Sequence, residues 1–469
     1  MTEWKSRTAL LCHCAPDIAT CRVTPGEIIK NGPMYLCAYM AYPFAAYTIG
    51  WHLIPFLMRL RVTSAYEILG LRLGSSARLL GGGLFLLLRL MWMGAILYAT
   101  TDKVLMPLLG WPQSAAPWVY IVLSLVTLVY TTMGGLKAVV WTDVLQTLIL
   151  FAGAFVALLM ISVAMGGVGN WWPSSWAPNW EIPRFGFQTE GRITLGWMVL
   201  STYLWFVCTS GSDQMVIQRY LATRDVKTAR RALVWSLGAD ILVALLLAVL
   251  GLALLAYFTA NPHALGDGQR IVSNADQLFP RYISYQLPAG LGGLVVAGML
   301  AAAMSSLSAG VSSASSVVTI DFVDYFRQEK MAEAQHVKLA RYVSVAIGAV
   351  TVVISFWIAF MQGNLFELCF RVVNLFVAPL FVLFFMALFI PWATAFGAVF
   401  GTVCAMTVAV AIGYWEALTG HKGLSFLWIM PMALLAGAVT GMIASLLPLG
   451  VKPKVSLAEL KSGIKEHAA

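Results

Sequence analysis

Two adjacent serines in a very apolar stretch have the chemistry to bind a cation. The segment AAAMSSLSAG, residues 301–310, sets Ser305 and Ser306 among alanines and glycines. Neutral oxygen ligands suit a hard cation, and small neighbours let a second helix approach closely enough to complete a ligand shell. Small residues and hydroxyls also serve plain helix packing, so these residues alone leave packing and ion binding both open.

Three charged residues fall inside apolar runs. Arg89 lies in LFLLLRLMWMG, Asp240 in WSLGADILVALL and Arg371 in LCFRVVNLFVAP. A charge at the bilayer centre costs about 2.5–3.5 kcal/mol on insertion scales, so each should face a cavity or a partner. Arginine can hold a carboxylate through a bidentate fork. A substrate pocket and a structural Arg–Asp pair between helices both fit Asp240 and Arg371, whereas a structural role is favoured for Arg89.

Apolar helices must position these side chains. The chain has 469 residues, of which 60% are apolar and 11% charged, with a mean hydropathy of +0.80; soluble domains carry about 25% charged residues. Long unalternating apolar runs read as membrane-spanning helices and not as barrel strands. About eleven spans of roughly 20 residues are predicted: 34–58, 80–101, 117–136, 141–165, 194–216, 231–257, 288–318, 339–361, 365–390, 394–416 and 425–448. The sequence therefore predicts an all-α polytopic membrane protein without a soluble domain.

Positive charge is concentrated in alternate loops. When the loops are assigned in turn to two sides, one side collects most of the 30 Lys and Arg residues, from Arg59 to Lys465. An excess of positive charge marks the cytoplasmic side. This predicts an N-terminus outside the cell and a cytoplasmic tail at 449–469. It also accounts for the net charge of +9 without a nucleic-acid partner.

Four stretches resemble those of one transporter family. They are TSAYEILGLRLG (63–74), GGLKAVVWTDVLQ (134–146), SDQMVIQRYLATRDVKTARRA (212–232) and AGMLAAAMSSLSAGVSSASSVVTIDF (297–322). In order and spacing they resemble signatures of the sodium:solute symporter family, whose members include the sodium/glucose cotransporters. The resemblance covers about 34–448. In the second stretch, we expect a Gly-Gly break before Asp143 opens the next helix.

The resemblance implies a leucine-transporter-type core of five-plus-five inverted repeats. In that family, Na⁺ binds to two adjacent hydroxyls of the eighth core helix and to a backbone carbonyl three residues earlier. The matching positions here are Ser305, Ser306 and Ala302. The co-transported ion would then be Na⁺, no other metal is expected, and Asp143 would assist the exit of the ion on the inner side.

The charged residues also have counterparts in sugar-transporting members of the family. The resemblance places Asp240 where those members carry a substrate-contacting lysine, and Arg371 at a sugar-contacting glutamine, with Asn374 one turn further on. A pocket of fixed charges favours an anionic or zwitterionic solute. The candidate substrate residues are therefore Arg371, Asn374, Asp240 and Arg89, and a structural ion pair stays the alternative.

The N-terminus departs from the family pattern. Residues 1–33 are polar, and they hold no run that could span a membrane, although the family begins with a peripheral helix and a first core helix. We expect 1–33 to be an irregular non-membrane segment, either a gene-model artefact or a real truncation, ahead of a symporter domain at 34–448. The core is therefore expected to be N-terminally incomplete.

The leading functional prediction is a sodium-coupled symporter in the cell membrane. It would import a small polar organic solute (a sugar, carboxylate or zwitterion) by alternating access. The alternative is a transport-defective or solute-sensing membrane protein with the same fold. An enzyme is not expected, because the chain lacks HExxH and GxSxG motifs and paired intramembrane aspartates.

Overall fold

The protein is described here from a computed structural model. It describes residues 18–60, 62, 64–188, 192–265, 270–327, 333–360, 365–421, 423–448 and 455–456. Inside the helices, the side chains of 18–23, 103, 133–144, 146, 289, 333 and 365–369 lie outside the description.

The described residues form helices joined by short loops. The α-helices are α1 (Ile18–Asn31), α2 (Tyr42–Thr48), α3 (Ile54–Arg59), α4 (Ala65–Leu73), α5 (Ser75–Thr100), α6 (Met106–Leu109), α7 (Ala116–Ala164), α8 (Val168–Trp171), α9 (Leu195–Ser212), α10 (Gln214–Leu221), α11 (Val226–Ala260), α12 (Ala275–Gln286), α13 (Ala289–Val317), α14 (Asp324–Phe326), α15 (Glu333–Ala359), α16 (Leu365–Phe389), α17 (Ala395–Gly413), α18 (Trp415–Thr419) and α19 (Ile429–Ala444). Short π-helical segments follow α2, α5 and α13.

The predicted membrane spans are confirmed as helices, but their number differs. In the described part of the chain, nine helical segments are long and apolar enough to cross a membrane. The predicted span at 34–58 is instead a succession of 3₁₀, α and π turns from Pro33 to Arg59. The predicted span at 194–216 corresponds to α9, which ends at Ser212 because the backbone leaves the helical conformation at Asp213.

The expected Gly-Gly break is absent. Residues 134 and 135 lie inside α7, which is assigned as one continuous helix from Ala116 to Ala164. Glycine inside a helix costs only about 1 kcal/mol relative to alanine. The pair lies between the candidate spans Gln113–Thr132 and Thr147–Ala164, and the helical conformation continues through it.

The N-terminal segment is more ordered than expected. Residues 18–31 form α1, which packs against α11, α12 and α13. Thr24, Glu27, Ile28 and Ile29 are all buried. The prediction that 1–33 is irregular is therefore wrong for this part, because helix packing compensates for the interior proline at position 25. The division of the chain at 33/34 stays a prediction, and residues 1–17 lie outside the described residues.

Large apolar side chains cover much of the outer surface. On α15 the exposed ones include Tyr342, Val353 and Trp357, and on α7 they include Trp118, Leu125 and Leu159. An apolar surface of this extent needs a lipid environment, because soluble proteins expose few such patches. The structure therefore presents a multi-pass membrane protein.

Glycines bring the last two long helices into close contact. α17 and α19 pack along Gly397 and Gly401 on one side and Gly437 and Gly441 on the other. A Cβ atom at position 401 would lie 2.8 Å from the Cα of Gly441, and one at position 437 would lie 2.7 Å from the Cβ of Ala405. Helices in lipid associate through such close packing, since no hydrophobic force drives them together.

Replacing one of these glycines should destabilise the bundle. We expect Gly401→Ala to lower the free energy of unfolding in detergent by about 1–3 kcal/mol, the usual cost of overpacking. Gly83→Ala is the matched control, since a Cβ there meets nothing within 4 Å. Thermal unfolding of both variants measures the difference, and equal melting temperatures would contradict the packing role.

Candidate functional site

The serine pair lies on a helix buried inside the bundle. Ala302 and Ser305 are buried on α13, and Ser306 is half-buried. α13 packs against α7 and α1, and a Cβ at Gly298 would lie 3.2 Å from the backbone nitrogen of Leu150, so the helices nearly touch there. The pair therefore stands at a close interface between helices.

Two hydrogen bonds reach the backbone of α13 at this point. The Ser308 hydroxyl donates to the carbonyl oxygen of Ser305 at 2.9 Å, and the Tyr130 hydroxyl donates to the carbonyl of Met304 at 2.6 Å. Tyr130 comes from α7, so its bond fixes the two helices relative to each other. Sequence reasoning missed Tyr130, because a tyrosine in an apolar span carries no pattern of its own.

The side chain of Asp143 lies outside the described residues. Its backbone belongs to α7, the helix that packs along α13. The expected role of Asp143 in ion exit therefore stays a prediction.

The first intramembrane charge, Arg89, has a partner that sequence reasoning did not identify. Its guanidinium forms an ion pair with the carboxylate of Asp213, and both residues are buried. Asp213 also accepts a hydrogen bond from the amide of Met215 at 2.8 Å and so caps α10. Removing one partner of a buried pair costs about 3–5 kcal/mol, since the other charge is left uncompensated. This pairing fits the structural role for Arg89.

Asp213 lies at a break between α9 and α10 that neighbouring helices surround. The Tyr66 hydroxyl donates to the carbonyl of Ser212 at 3.2 Å, and the backbone amide of Ala65 donates to Gln214 Oε1 at 2.7 Å. The break therefore has partners for its backbone and its side chains from α4 and α5. Asp213 and Gln214 belong to the quoted motif at 212–232, which begins SDQ. That motif was the sequence feature that could have indicated this site.

The second charge, Asp240, accepts a hydrogen bond from the Tyr42 hydroxyl. This bond joins α11 to α2. The Tyr42 ring packs edge-to-face against Phe206 of α9, with 4.8 Å between the centroids. The Tyr42 hydroxyl therefore stabilises the Asp240 carboxylate inside the bundle, and both residues lie on the side of α9 that faces α2.

Arg371 and Asn374 lie three residues apart on α16. Asn374 is 1% exposed, and its amide nitrogen has no hydrogen-bond partner in the described part of the chain. An unsatisfied buried donor costs about 1–3 kcal/mol, so Asn374 is a binding candidate on structural grounds.

The structure does not bring Asp240 and Asn374 together. Asp240 lies beyond Phe206 of α9, whereas α16 meets α9 at Gly211, where a Cβ would touch the ring of Phe381. Positions 206 and 211 point in clearly different directions on a helix of 3.6 residues per turn. The expected single pocket of charges is therefore divided by α9.

Two further polar networks join helices at opposite ends of the bundle. At one end, Asp321 accepts hydrogen bonds from the Ser64 hydroxyl and from Arg78 Nε, the latter at 2.9 Å. At the other end, Arg192 forms a bidentate ion pair with Glu27 of α1. α5 begins near Arg78, and its other end is followed by α6, which packs on α12. α12 in turn packs on α1, so the two networks lie at opposite ends of α5. Ser64 and Asp321 belong to quoted motifs, but their contact joins segments 257 residues apart, which no local pattern predicts.

The comparisons with known proteins agree with the predicted family. The model of the sodium:solute symporter family matches residues 23–405. The sodium/sialic acid symporter SiaT of Proteus mirabilis is 27% identical over 80% of this chain and 78% of the relative. The sodium-dependent multivitamin transporter of Oryctolagus cuniculus is 29% identical over 84% of this chain, which spans 61% of that relative. The human sodium-coupled monocarboxylate transporter 1 is 27% identical over 83% of this chain and 63% of the relative.

Solved structures show the same fold. A sodium-coupled sialic acid symporter in a substrate-bound outward-open state superposes with a TM-score of 0.79 at 23% identity, over 97% of this chain and 91% of that one. MhsT in complex with L-phenylalanine gives a TM-score of 0.53 at 15% identity, over 94% and 98%. The predicted leucine-transporter-type architecture is therefore confirmed. The relatives named above are sodium-coupled transporters, which agrees with the predicted transporter class. With a family model that matches most of its length, this chain belongs to the sodium:solute symporter family.

Proposed function

We propose that the protein uses a sodium gradient to import a small organic solute that carries a carboxylate. The single observation that supports this proposal most is the serine pair on α13, in which Ser305 is buried and Ser306 half-buried, on a helix that packs against α1 and α7 in a chain of this family. Relatives named as sodium-coupled transporters do not favour a transport-defective or sensing protein. The N-terminus is proposed to lie outside and the C-terminus in the cytoplasm.

The sodium ion is proposed to bind the carbonyl oxygen of Ala302 and the hydroxyls of Ser305 and Ser306. Hard cations prefer such oxygen ligands. The facing ligands would come from the backbone of α1, which packs on α13. Pro25 lies inside α1 and lacks an amide hydrogen, so the carbonyl four residues before it has no helical donor. Such a freed carbonyl is suited to an ion.

Asp143 is proposed to assist the ion on its way to the inner side. It lies on α7, the helix packed along α13. A carboxylate near the ion site would attract the cation without enclosing it, because a single charge supplies attraction but not a complete ligand shell.

The solute carboxylate is proposed to bind near Arg371 and Asn374. An arginine fork matches a carboxylate in geometry and charge, and the Asn374 amide is a buried donor. Relatives named for sialic acid and for monocarboxylates support an acidic solute. Asp240 stays a candidate for a positively charged solute group on the other side of α9, whereas Arg89 is a weaker candidate because Asp213 engages it.

Alternating access is proposed to involve the two polar networks at the ends of the bundle. The Asp321–Arg78–Ser64 network closes the proposed inner end, and the Glu27–Arg192 pair closes the proposed outer end. The two networks would break in turn, because alternating access requires that the binding site open to only one side of the membrane at a time.

Removing both serine hydroxyls should abolish the response to sodium. We expect Ser305→Ala with Ser306→Ala to eliminate the stimulation of solute uptake by an inward sodium gradient in proteoliposomes, because two ion ligands are lost. Ser313→Ala is the matched control on the same helix, where the hydroxyl donates to the carbonyl of Gly310 at 3.0 Å. Full sodium stimulation in the double variant would refute the assigned ion site.

Neutralising Arg371 should weaken carboxylate uptake. We expect Arg371→Gln to raise KM for lactate or sialic acid about tenfold or more, as a charge-assisted hydrogen bond contributes roughly 1.5–3 kcal/mol. Arg371→Lys keeps the charge but loses the fork, so an intermediate KM is expected. Uptake kinetics in proteoliposomes measure both, and unchanged carboxylate uptake in Arg371→Gln would remove this residue from the site.

Removing Arg89 alone should destabilise the protein more than replacing both Arg89 and Asp213. Arg89→Met alone leaves a buried carboxylate, so we expect unfolding to become easier by about 3–5 kcal/mol. Adding Asp213→Asn should recover part of this loss, because asparagine caps a helix as well as aspartate does. Thermal unfolding of the single and double variants gives the comparison; a double variant less stable than the single one would contradict the pairing.

A further inference from the structure

We propose that Ser201 and Trp197 on α9, together with Asn374 on α16, form the subsite that receives the carboxylate of the transported solute. This inference rests on the proposed function and assigns specificity-determining residues to it. Its basis is a group of buried hydrogen-bond donors, on facing helices, that have no partner in the described part of the chain.

The Ser201 hydroxyl departs from the usual behaviour of hydroxyls in this bundle. Helical Ser and Thr side chains commonly donate to the carbonyl four residues earlier, as Thr209 does to Trp205 at 2.7 Å and Ser212 to Cys208 at 2.8 Å on the same helix. Ser201 is 1% exposed, yet its hydroxyl has no partner among the described residues. A buried hydroxyl that ignores the nearest carbonyl is available to a ligand.

Two contacts fix how α9 and α16 face each other. Near the end of α9 and past the middle of α16, a Cβ at Gly211 would lie 2.6 Å from the ring of Phe381. Near their beginnings, Trp197 packs on Trp428 with 3.8 Å between centroids, and Phe370 packs on Phe426 with 5.5 Å. Residues 426–428 are one short 3₁₀ segment, so it holds the two helix beginnings side by side.

Ser201 and Asn374 lie between these two contacts. Ser201 follows Trp197 by one helical turn, and Asn374 follows Phe370 by one turn and precedes Phe381 by two. Asn374 therefore shares the face of α16 that meets α9 through Phe381, and Ser201 shares the face of α9 that carries Trp197. Arg371 precedes Asn374 by three residues and brings a positive charge to the same part of α16.

The indole nitrogens of Trp197 and Trp428 extend the group of donors. Both are buried without a hydrogen-bond partner in the described residues, and so is the hydroxyl of Thr194 one turn before Trp197. Indole N–H and amide NH₂ groups can only donate. A ligand that satisfies them must be rich in acceptors, and an ionised carboxylate offers acceptor sites only.

The chemistry distinguishes this subsite from the surroundings of Asp240. A carboxylate there would meet a fixed negative charge, whereas between α9 and α16 it meets donors and the charge of Arg371. The solute is therefore oriented with its acidic end toward α16. Trp197 and Trp428 cover the beginnings of both helices and would restrict entry from that end.

The experiment compares a carboxylate with its amide. Uptake of lactate and of sialic acid by the full-length protein is measured in proteoliposomes, and lactamide and sialic acid amide serve as uncharged probes. For Ser201→Ala and Asn374→Asp we expect KM for the carboxylates to rise about 5- to 50-fold with kcat little changed, while competition by the amides stays the same or improves. Thr209→Val is the matched control, since its hydroxyl is bonded within the helix.

Direct binding separates this inference from the proposed function. Calorimetry on the detergent-solubilised protein measures the affinity for the same probes, and size-exclusion profiles confirm that each variant is folded. Carboxylate binding that both variants weaken, without sodium-driven uptake, supports the subsite and refutes the proposed function. Sodium-driven carboxylate uptake that neither variant changes, equal losses for carboxylates and amides, or no binding of any carboxylate probe would overturn the subsite.

Discussion

The break in the backbone at Asp213 is the constraint around which the other contacts are arranged. A chain that leaves the helical conformation inside an apolar bundle exposes backbone groups that lipid cannot satisfy. Here Asp213 caps the helix that follows, Arg89 neutralises its charge, and Tyr66 and Ala65 bond to the residues on either side. Four helices, α4, α5, α9 and α10, are thereby joined at one point. Since α9 also divides Asp240 from Asn374, the position of this helix decides which residues can share a pocket.

Close helix packing is the second requirement of the fold. Glycines at the α17–α19 contact and at Gly298 on α13 bring backbones together where larger residues would separate them. The same feature serves the proposed ion site, because Na⁺ needs ligands from more than one helix within a few ångströms. The small residues around Ser305 allow close helix packing, and this packing is compatible with the proposed ion site.

Much of the architecture could be predicted from the sequence. The lengths of the apolar runs predicted most of the spans, because the thickness of the bilayer sets the length of a membrane-spanning helix whatever its neighbours are. The exceptions are instructive: α1 forms although its sequence is polar and contains Pro25, since burial against α11 and α12 compensates. The Gly-Gly pair in α7 does not interrupt the helix, because glycine weakens a helix by only about 1 kcal/mol relative to alanine.

The candidate site was predicted only in part. Ser305 and Ser306 could be singled out because they are adjacent hydroxyls in an apolar stretch, and Ala302 was added by the family resemblance; their ion role stays a prediction. The partners of the buried charges could not, since Arg89 and Asp213 are 124 residues apart and Tyr42 and Asp240 are 198 apart. No sequence pattern pointed to Ser201, because the one unusual feature of its hydroxyl is that it has no hydrogen-bond partner among the described residues. The sequence by itself determined most of the spans, the family and the chemistry of each residue. Tertiary structure alone decided which charges neutralise each other and which donors stay available, because both depend on contacts between helices far apart in the chain.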